Sequence, residues 1–313
     1  MKEKLVAVVG PTAVGKTKVS VALAKAIDGE IINGDSMQVY QGMDIGTAKI
    51  TKEETEGIPH HLFDFKSPAE SYSASEFQER ARPLVTEINE RGRIPIVVGG
   101  TGMYIKALTH HYNFTGTDSD PDFRNRMEKY VDENGADSLH DRLKSVDPES
   151  AANIHPHNIR RVIRALEVYH TTGTPASERR EKTKETPYEL ATVGLTMERE
   201  RLYNRINQRV DHMLEEGLME EVRDLYERGI RDCGSVQAIG YKELYSYLRG
   251  DVTKEEAIRQ LKKNSRRYAK KQYTWFRRQM EVRWFDVTEG VTEKKFSAIL
   301  RFVQERLGEY RNY

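Results

Sequence analysis

The stretch that decides the fold of this chain is Gly10-Pro11-Thr12-Ala13-Val14-Gly15-Lys16-Thr17. It follows the apolar run Leu5–Val9 and precedes residues 18–27, whose apolar spacing predicts an amphipathic helix. A strand, a turn ending in Gly-Lys-Thr and a helix together indicate a phosphate loop, because glycine lets successive backbone N–H groups point at one anion. We therefore expect a diphosphate or triphosphate at residues 10–17, with Lys16 as a mobile cation and the Thr17 hydroxyl holding Mg2+.

Composition excludes several other classes of protein. The 313 residues suffice for one large or two smaller domains, and the formal net charge of +1 excludes no partner. The single cysteine, Cys233, excludes an internal disulfide and a cysteine-based zinc site. The run Leu5–Val9 is too short for a signal peptide, and no segment approaches the roughly 20 apolar residues of a membrane span. We expect a cytoplasmic monomer that does not enter a membrane.

A second strand is predicted at Glu30–Gly34, and two polar residues follow it. Ligands of open α/β sheets bind beyond the carboxyl ends of the strands, where Asp35 and Ser36 should lie. Asp-Ser after a strand is also common as a turn or a helix N-cap. Position alone leaves both interpretations of Asp35 open.

Another buried strand is predicted at Ile94–Val98, followed by Gly99-Gly100-Thr101-Gly102-Met103-Tyr104. Three glycines around one threonine favour a backbone that closely approaches a ligand and presents the Thr101 hydroxyl to it. A tight turn between strand and helix would also explain the glycines. The position of the stretch, at the carboxyl end of a strand, favours the ligand.

Other stretches are predicted to be structural. The segment His60–Phe65 is predicted as a third strand or the lead-in to one. On a strand the two adjacent histidines would face opposite ways and make a poor metal site. A helix is predicted at Ser73–Arg91, with one apolar stripe. Residues Ala191–Leu195 are predicted as the last strand of the sheet, and Glu293–Leu307 as a structural C-terminal helix.

Strand-like runs disappear between Thr115 and Pro187. We predict a helical insertion domain at 116–187 within a core domain formed by 1–115 and 188–313. One helix should open at Asp118–Pro121. A second, at His157–Thr171, carries three arginines, although solvated arginines are common and alone are weak evidence for nucleic acid. These are Arg160, Arg161 and Arg164.

The helix predicted at Glu198–Gly217 adjoins the carboxyl end of the last predicted strand. It carries Arg205 and Arg209, which are four residues apart. A guanidinium at this position could reach the phosphate site and offset charge that leaves with a phosphate group. An ion pair with a nearby carboxylate is the alternative.

The segment Arg259–Arg283 is predicted as a long basic helix. Ten of its residues are Arg or Lys and only Glu281 is acidic, whereas solvated faces elsewhere in the chain mix both signs. A stripe of one sign favours a polyanion such as nucleic acid. Leu261, Tyr268 and Trp275 lie on the other side and should dock on the protein. The stripe consists of Arg259, Lys263, Arg266, Lys270 and Arg277, flanked by Lys262, Arg267, Lys271 and Arg278.

Six blocks together resemble the bacterial tRNA dimethylallyltransferases, in that family's order, and they cover the chain from residue 5 to about 285. The combination is far more specific than the phosphate loop alone. The blocks are Gly-Pro-Thr-Ala-Val-Gly-Lys-Thr at 10–17, Asp-Ser-Met-Gln-Val-Tyr at 35–40, Gly-Gly-Thr-Gly-Met-Tyr at 99–104, Arg-Arg-Val-Ile-Arg-Ala-Leu-Glu-Val-Tyr at 160–169, Ala-Ile-Gly-Tyr-Lys-Glu at 238–243 and Arg-Arg-Tyr-Ala-Lys-Lys-Gln at 266–272.

The resemblance implies an activity and a fold. The family transfers a dimethylallyl group from its diphosphate to N6 of adenosine 37, beside the anticodon of tRNA. Residues 10–17 would then hold dimethylallyl diphosphate and Mg2+ rather than ATP, and the second partner would be the tRNA anticodon stem-loop. The implied fold is α/β, a P-loop NTPase-like parallel sheet flanked by helices, with a helical insertion and a helical C-terminal region. Eukaryotic members carry a C-terminal Cys2His2 zinc finger, which a chain with one cysteine cannot form.

The resemblance also implies roles for individual residues. Asp35 would be the general base for N6, and Thr101 a second hydrogen-bonding group near the reacting centre. Lys16, the Mg2+ on Thr17, and Arg209 rather than Arg205 or Arg223 would neutralise the departing diphosphate. The tRNA contacts implied are Asp35, Ser36, Met37, Gln38, Thr101, Arg160, Arg161, Arg164 and the 259–283 helix, including Arg266 and Lys270.

Three rival functions are weighed against this one. A small-molecule or nucleotide kinase explains the phosphate loop but not the basic helix. A non-catalytic RNA-binding protein that uses nucleotide as a switch is disfavoured, because no Asp-Xaa-Xaa-Gly or Asn-Lys-Xaa-Asp stretch indicates a switch. A prenyltransferase that acts on free adenylate is chemically closer to the tRNA enzyme. The basic helix and the insertion favour tRNA as the substrate instead.

Overall fold

The computed structural model describes residues 2–112, 114, 120–178, 185–231 and 233–308. It contains two compact units, one formed by Met1–His110 with Thr186–Tyr313 and the other by His111–Glu185. Residues 115–119 and 179–184 lie outside the described residues; the first range includes Asp118 and Ser119 of the predicted helix opening. Asp120 does begin a helix, since its Oδ1 accepts a hydrogen bond from the backbone N–H of Phe123 at 2.8 Å.

A parallel sheet of six strands forms the first unit, in the order β3-β2-β4-β1-β5-β6. The central strand, β1, pairs with β4 on one side and β5 on the other, and its residues Leu5 to Val9 are fully buried. This confirms the predicted α/β fold with a buried central strand. The strands are β1 Lys4–Val9, β2 Gly29–Asn33, β3 His60–His61, β4 Ile94–Gly99, β5 Glu189–Thr196 and β6 Arg283–Asp286.

Helices make up most of the rest of the described chain. In the part of the chain that the structure describes, none of them is both long and apolar enough to cross a membrane. The helices are α1 Lys16–Ala26, α2 Ala74–Glu90, α3 Gly102–Thr109, α4 Pro121–Val146, α5 Pro148–Asn153, α6 Ile159–Thr172, α7 Arg199–Glu215, α8 Leu218–Glu227, α9 Tyr241–Leu248, α10 Lys254–Gln279 and α11 Glu293–Arg306.

Helix α10 joins the three apolar clusters of the first unit. Ala269 packs in the cluster that lies between the sheet and α1, α7 and α11. Phe276 belongs to the cluster on the opposite face of the sheet, with α2 and α3. Leu261 belongs to the third cluster, which α8 and α9 form with the segment after β2. One helix therefore bears on both faces of the sheet and on the loops at its edge.

The prediction that Ala191–Leu195 is the last strand of the sheet was wrong. The sheet does not end at β5, because β6 pairs parallel with it from Val193–Arg283 to Thr196–Asp286. The basic helix correspondingly stops at Gln279 and not at Arg283. The third strand is limited to His60–His61, since Leu62 and Asp64 have φ values of 63° and 53°, which no strand accommodates.

The second unit is the helical insertion, built from α4, α5 and α6. Helix α4 bends at Gly135, whose φ is 84°. The buried carboxylate of Glu167 on α6 is compensated within the unit: it accepts a hydrogen bond from Asp120 N–H at 2.7 Å and pairs with Arg124 and Arg164 at 2.9 and 2.6 Å. Desolvation by burial raises the pKa of Glu167, but the hydrogen bonds and the two arginines outweigh it, so the pKa of Glu167 is lowered.

Candidate active site

The segment 10–17 forms a tight turn between β1 and α1. Gly10 and Gly15 have φ values of 147° and 102°, conformations that disfavour other residues, and Ala13 adopts 64°. The ammonium group of Lys16 folds back over this turn. It donates to the carbonyl oxygens of Gly10 at 3.1 Å and Pro11 at 2.9 Å. The loop thus has the curled backbone that the motif predicts.

Positive charge is concentrated beside this loop. Burial lowers the pKa of Lys16 to about 8; the nearby carboxylate of Asp35 opposes the shift and the guanidinium of Arg209 adds to it. Burial likewise lowers the pKa of Arg209, against the attraction of Asp35. Two cations held close together and partly desolvated favour an anionic ligand, because a negative charge beside them stabilises the charged forms that burial disfavours.

A cavity of about 530 Å3 lies beside the phosphate loop. Its polar lining includes Thr12, Asp35 and Arg209. Helix α10 adds Arg267, Tyr268 and Lys271. Its apolar lining comes from the side chains of Ile206, Val210, Met213 and Leu261. The cavity can therefore hold a ligand with an anionic end and a short apolar end.

Asp35 has both of the roles that the sequence left open. Its Oδ1 accepts a hydrogen bond from the backbone N–H of Met37 at 2.9 Å, which is an Asx-turn contact. Its own N–H donates to Oδ1 of Asn33 at 2.9 Å. The same residue lines the cavity, near enough to Lys16 and Arg209 to oppose the pKa shifts of both. The turn therefore holds the carboxylate in the cavity wall.

Thr101 connects the loops that follow β2 and β4. Its hydroxyl accepts from the backbone N–H of Ser36 at 3.2 Å and donates to Oγ of Ser36 at 3.3 Å. Thr101 is also hydrogen-bonded to the hydroxyl of Tyr268 on α10. This network places Thr101 beside Asp35.

Among the three candidate arginines, Arg209 has the contact that the phosphate role requires. Its Nη1 donates to Oγ1 of Thr12, in the phosphate loop, at 3.4 Å, and the residue lines the cavity. Arg205 and Arg223 are exposed, and Arg205 lies in a separate surface cavity with Arg201 and Thr288. The geometry thus favours Arg209 over the other two.

Comparisons with known proteins agree with this geometry. Residues 38–279 match the family described as IPP transferase. The chain belongs to the IPP transferase family. The phosphate loop and Asp35 precede the matched segment, but matches over nearly the whole chain include them. One is a tRNA dimethylallyltransferase of Halalkalibacterium halodurans, 59% identical over 311 residues that cover 99% of each chain.

Two solved structures of the family extend the likeness to the fold. The full-length tRNA isopentenylpyrophosphate transferase of Bacillus halodurans is 58% identical, with a TM-score of 0.76 over 98% of each chain. A eukaryotic dimethylallyltransferase, described as acting on tRNA, is 33% identical with a TM-score of 0.79. That match covers 92% of this chain and 74% of the eukaryotic one. The resemblance stated from sequence is confirmed.

The basic helix of this family member is less uniform than its sequence suggests. Lys270, Arg267 and Lys271 are exposed. Arg266, a member of the predicted stripe, is half-buried, and its Nη1 donates to Oδ1 of Asn207 on α7 at 2.6 Å. Lys262 pairs with Asp211 at 2.5 Å. The cations presented to solvent are therefore a subset of those counted in the sequence.

The other predicted tRNA contacts differ in their surroundings. Ser36 and Met37 line the cavity, whereas Gln38 donates to the carbonyl oxygens of Thr47 and Ala48 at 3.1 Å each and so holds a loop. In the insertion, Arg160 and Arg161 are exposed. Arg164 is bound to Glu167 there, so its role in the unit is at least partly structural.

Thr17 is suited to Mg2+ only together with a phosphate. Its side chain is exposed in the first turn of α1. Within the described ranges no group of three or more His, Cys, Asp or Glu residues could hold a metal ion by itself. Mg2+ commonly takes one or two protein oxygens and completes its octahedron with water and substrate phosphates. The residues present fit that mode of binding.

The glycines around Thr101 are explained by packing against protein rather than against a ligand. A Cβ at Gly99 would lie 2.2 Å from the carbonyl oxygen of Gly34. At Gly100 it would lie 2.0 Å from Nε2 of Gln272, and at Gly102 it would lie 2.1 Å from the indole of Trp275. The absence of side chains lets the end of β2 and helix α10 approach the loop. This favours the interpretation of the glycines as part of a tight turn over the interpretation that they make room for a ligand.

The roles of two residues of α10 were not predicted from the sequence. Gln272 is buried and contacts both glycine-containing loops, and Tyr268 lines the cavity instead of merely docking on the core. A signal for Gln272 was present: it lies three residues after Ala269 and four before Phe276, in the buried seam of the helix. A polar residue in such a seam needs partners.

Proposed function

We propose that this chain transfers a dimethylallyl group from dimethylallyl diphosphate to N6 of adenosine 37 in tRNA. Family membership and the names of the curated relatives support the coarser statement, that it is a tRNA dimethylallyltransferase. The finer statement rests on one observation: Asp35, Arg209 and Thr12 of the phosphate loop line a single cavity together with apolar side chains, and Lys16 lies near enough to Asp35 and Arg209 to interact with both.

The reaction needs a base in the cavity. The lone pair of the adenine amino group is delocalised into the ring, so N6 is a weak nucleophile until its proton is removed. As the bond from N6 to C1 of the allyl group forms, Asp35 takes that proton. Thr101, hydrogen-bonded to Ser36 and Tyr268, keeps the loop next to Asp35 in place.

On the side of C1 opposite to N6 the bond from C1 to the diphosphate oxygen breaks, and negative charge accumulates on the leaving group. Lys16 and Arg209 are positioned to neutralise it. Mg2+ held by Thr17 and the phosphate oxygens would supply further positive charge. The apolar side chains of Ile206, Val210 and Leu261 suit the dimethylallyl chain and keep water from an allylic carbon.

The tRNA is held by charges at the cavity wall and on the exposed surface. Arg267 and Lys271 line its wall and Lys270 is exposed beside them, so the phosphates of an anticodon loop can lie along α10. Arg160 and Arg161 in the insertion are further candidates. Adenosine 37 must leave its stack to reach Asp35, as bases do in other enzymes that modify them.

The test is incubation with radiolabelled dimethylallyl diphosphate, Mg2+ and unmodified tRNA, followed by counting label in precipitated RNA. We expect label in tRNA, its loss when adenosine 37 is replaced, and its loss in Asp35→Asn with tRNA binding retained. Parallel tubes contain AMP as acceptor, or γ-labelled ATP without prenyl donor. Label on AMP alone would identify a free-adenylate prenyltransferase. Phosphate moved from ATP to a small acceptor would identify a kinase and overturn the proposal.

A further inference from the structure

We propose that Gln272 is a positioning residue that sets the phosphate loop against the loop after β4. It is 4% exposed and lies on the inner side of α10. Its Oε1 accepts a hydrogen bond from the backbone N–H of Thr12 at 2.9 Å. Its Nε2 donates to the carbonyl oxygen of Gly100 at 3.1 Å. One amide thus joins two backbone segments that are far apart in the chain, and each follows a different strand of the sheet.

The surroundings of the amide are built around this pair of contacts. Gly100 leaves the space that Gln272 occupies, since a Cβ there would lie 2.0 Å from Nε2. Tyr268, one turn earlier on α10, is hydrogen-bonded to Gln272 and to Thr101. Burial and the Asp35 carboxylate raise the pKa of Tyr268 to about 12, so its hydroxyl keeps its proton and the network stays neutral.

The consequence for the site concerns which backbone groups face the diphosphate. In a phosphate loop the N–H groups normally turn toward the anion. Because the N–H of Thr12 is bound to Gln272, the side of the loop that carries Thr12 is held toward α10, and its hydroxyl stays within reach of Arg209. Gln272 itself does not line the cavity, so it acts through Thr12 and Gly100. This inference rests on the proposed function only for the identity of the anion.

The test compares Gln272→Met, Gln272→Glu and the control Gln279→Met. Gln279 lies on the same helix and is exposed, and its Oε1 accepts a hydrogen bond from Nζ of Lys106 at 3.3 Å. The probe is inorganic diphosphate with Mg2+, and binding is measured by calorimetry, so no transfer reaction is needed. We expect Gln272→Met to weaken binding on the order of tenfold, as the loss of buried hydrogen bonds does, and Gln279→Met to bind as wild type does.

Gln272→Glu gives a readout that a merely structural residue would not give. An ionised glutamate still accepts from Thr12 N–H but faces the carbonyl oxygen of Gly100 with no donor. Burial raises the pKa of a carboxyl group, so at this buried position the glutamate should take up a proton and regain an O–H donor as the pH is lowered from about 8 to about 6. The deficit relative to wild type should shrink over the same range. Taking the ratio to wild type at each pH cancels the titration of the diphosphate probe, which is the same in both experiments.

Three results would overturn the proposal: unchanged diphosphate binding in a folded Gln272→Met, a Gln272→Glu deficit that is the same at each pH, or an equal deficit in Gln279→Met. If neither Gln272 variant folds, Gly100→Ala pushes the amide away without changing Gln272 and is judged by the same binding measurement. Diphosphate binding with no label transferred to tRNA by the wild type would count against the proposed function and leave the role of Gln272 standing.

Discussion

The two glycine-containing loops at the carboxyl ends of β1 and β4 look alike in sequence and differ in what their glycines do. In the loop at 10–17, glycine is needed for conformation, since Gly10 and Gly15 have positive φ. Gly10 is also confined, because a Cβ there would lie 2.8 Å from the carbonyl oxygen of Leu195. A Cβ at Gly15 would meet nothing within 4 Å, so this part of the loop is open to a ligand. In the loop at 99–102, glycine is needed for space, because Gln272 and Trp275 of α10 fill it. The first loop is open at Gly15, whereas the second receives a helix.

The largest effect that separates the loops should follow a change in the first one. We expect Lys16→Ala to lower the rate of transfer to tRNA by about a thousandfold, because the charge on the leaving diphosphate loses its nearest cation. The melting temperature should change little, since burial of Lys16 already disfavours its charge. A rate close to that of wild type would remove the phosphate loop from the reaction.

Replacing an arginine that touches the first loop should have the next largest effect. Arg209→Gln removes the hydrogen bond to Thr12 and should lower the transfer rate about a hundredfold. The matched control is Arg205→Gln, on the same helix one turn earlier and exposed, for which we expect a rate near that of wild type. Single-turnover assays with saturating tRNA would measure both. The reverse order of effects would reassign the arginine.

A change in the second loop should reduce the stability of the protein through packing, and should slow the transfer reaction only as a consequence. Gly100→Ala puts a Cβ into Gln272, so we expect a decrease of about 1–3 kcal/mol in the free energy of unfolding and roughly tenfold slower transfer. Gly234→Ala is the control, because its Cβ would meet nothing within 4 Å and its φ is −60°. Urea titration and the transfer assay on both variants would show whether space is the requirement. A fully stable, fully active Gly100→Ala would contradict the comparison.

The smallest effect concerns the outer side of the helix that fills the second loop. Lys270→Glu should weaken tRNA binding several-fold and make the plot of log K against log salt shallower, by about 0.7–0.9 in slope for each phosphate that is no longer neutralised. Diphosphate binding should be unaffected, since Lys270 is exposed and does not line the cavity. Lys294→Glu on α11, also exposed, serves as the control. Filter binding of tRNA at several salt concentrations measures the slope, and an unchanged slope would make that side of α10 an ordinary solvated face.

The local sequence pattern was enough to predict those elements whose formation depends on neighbouring residues in the chain. The buried strands and the longer helices follow from spacing, and the structure confirms them. It also places residues 10–15 as a turn between β1 and α1, as the motif predicts. Strand β6 was missed because Arg283–Asp286 is short and follows a long run of basic residues, so nothing local separates it from the helix. Its pairing with β5 supplies the reason for the strand. Likewise, Arg266 could not be separated from the exposed lysines until Asn207 was seen beside it.

The sequence by itself determined the phosphate loop and the parallel sheet, and by resemblance the family, because these depend on residues that are contiguous or regularly spaced. Only the tertiary structure decided which arginine meets that loop, which cations remain exposed and why three glycines surround Thr101. Those answers depend on contacts between segments far apart in the chain, such as Gln272 with Thr12 and Gly100. The spacing of residues along a sequence specifies secondary structure, but long-range partners exist only once the helices and strands have packed.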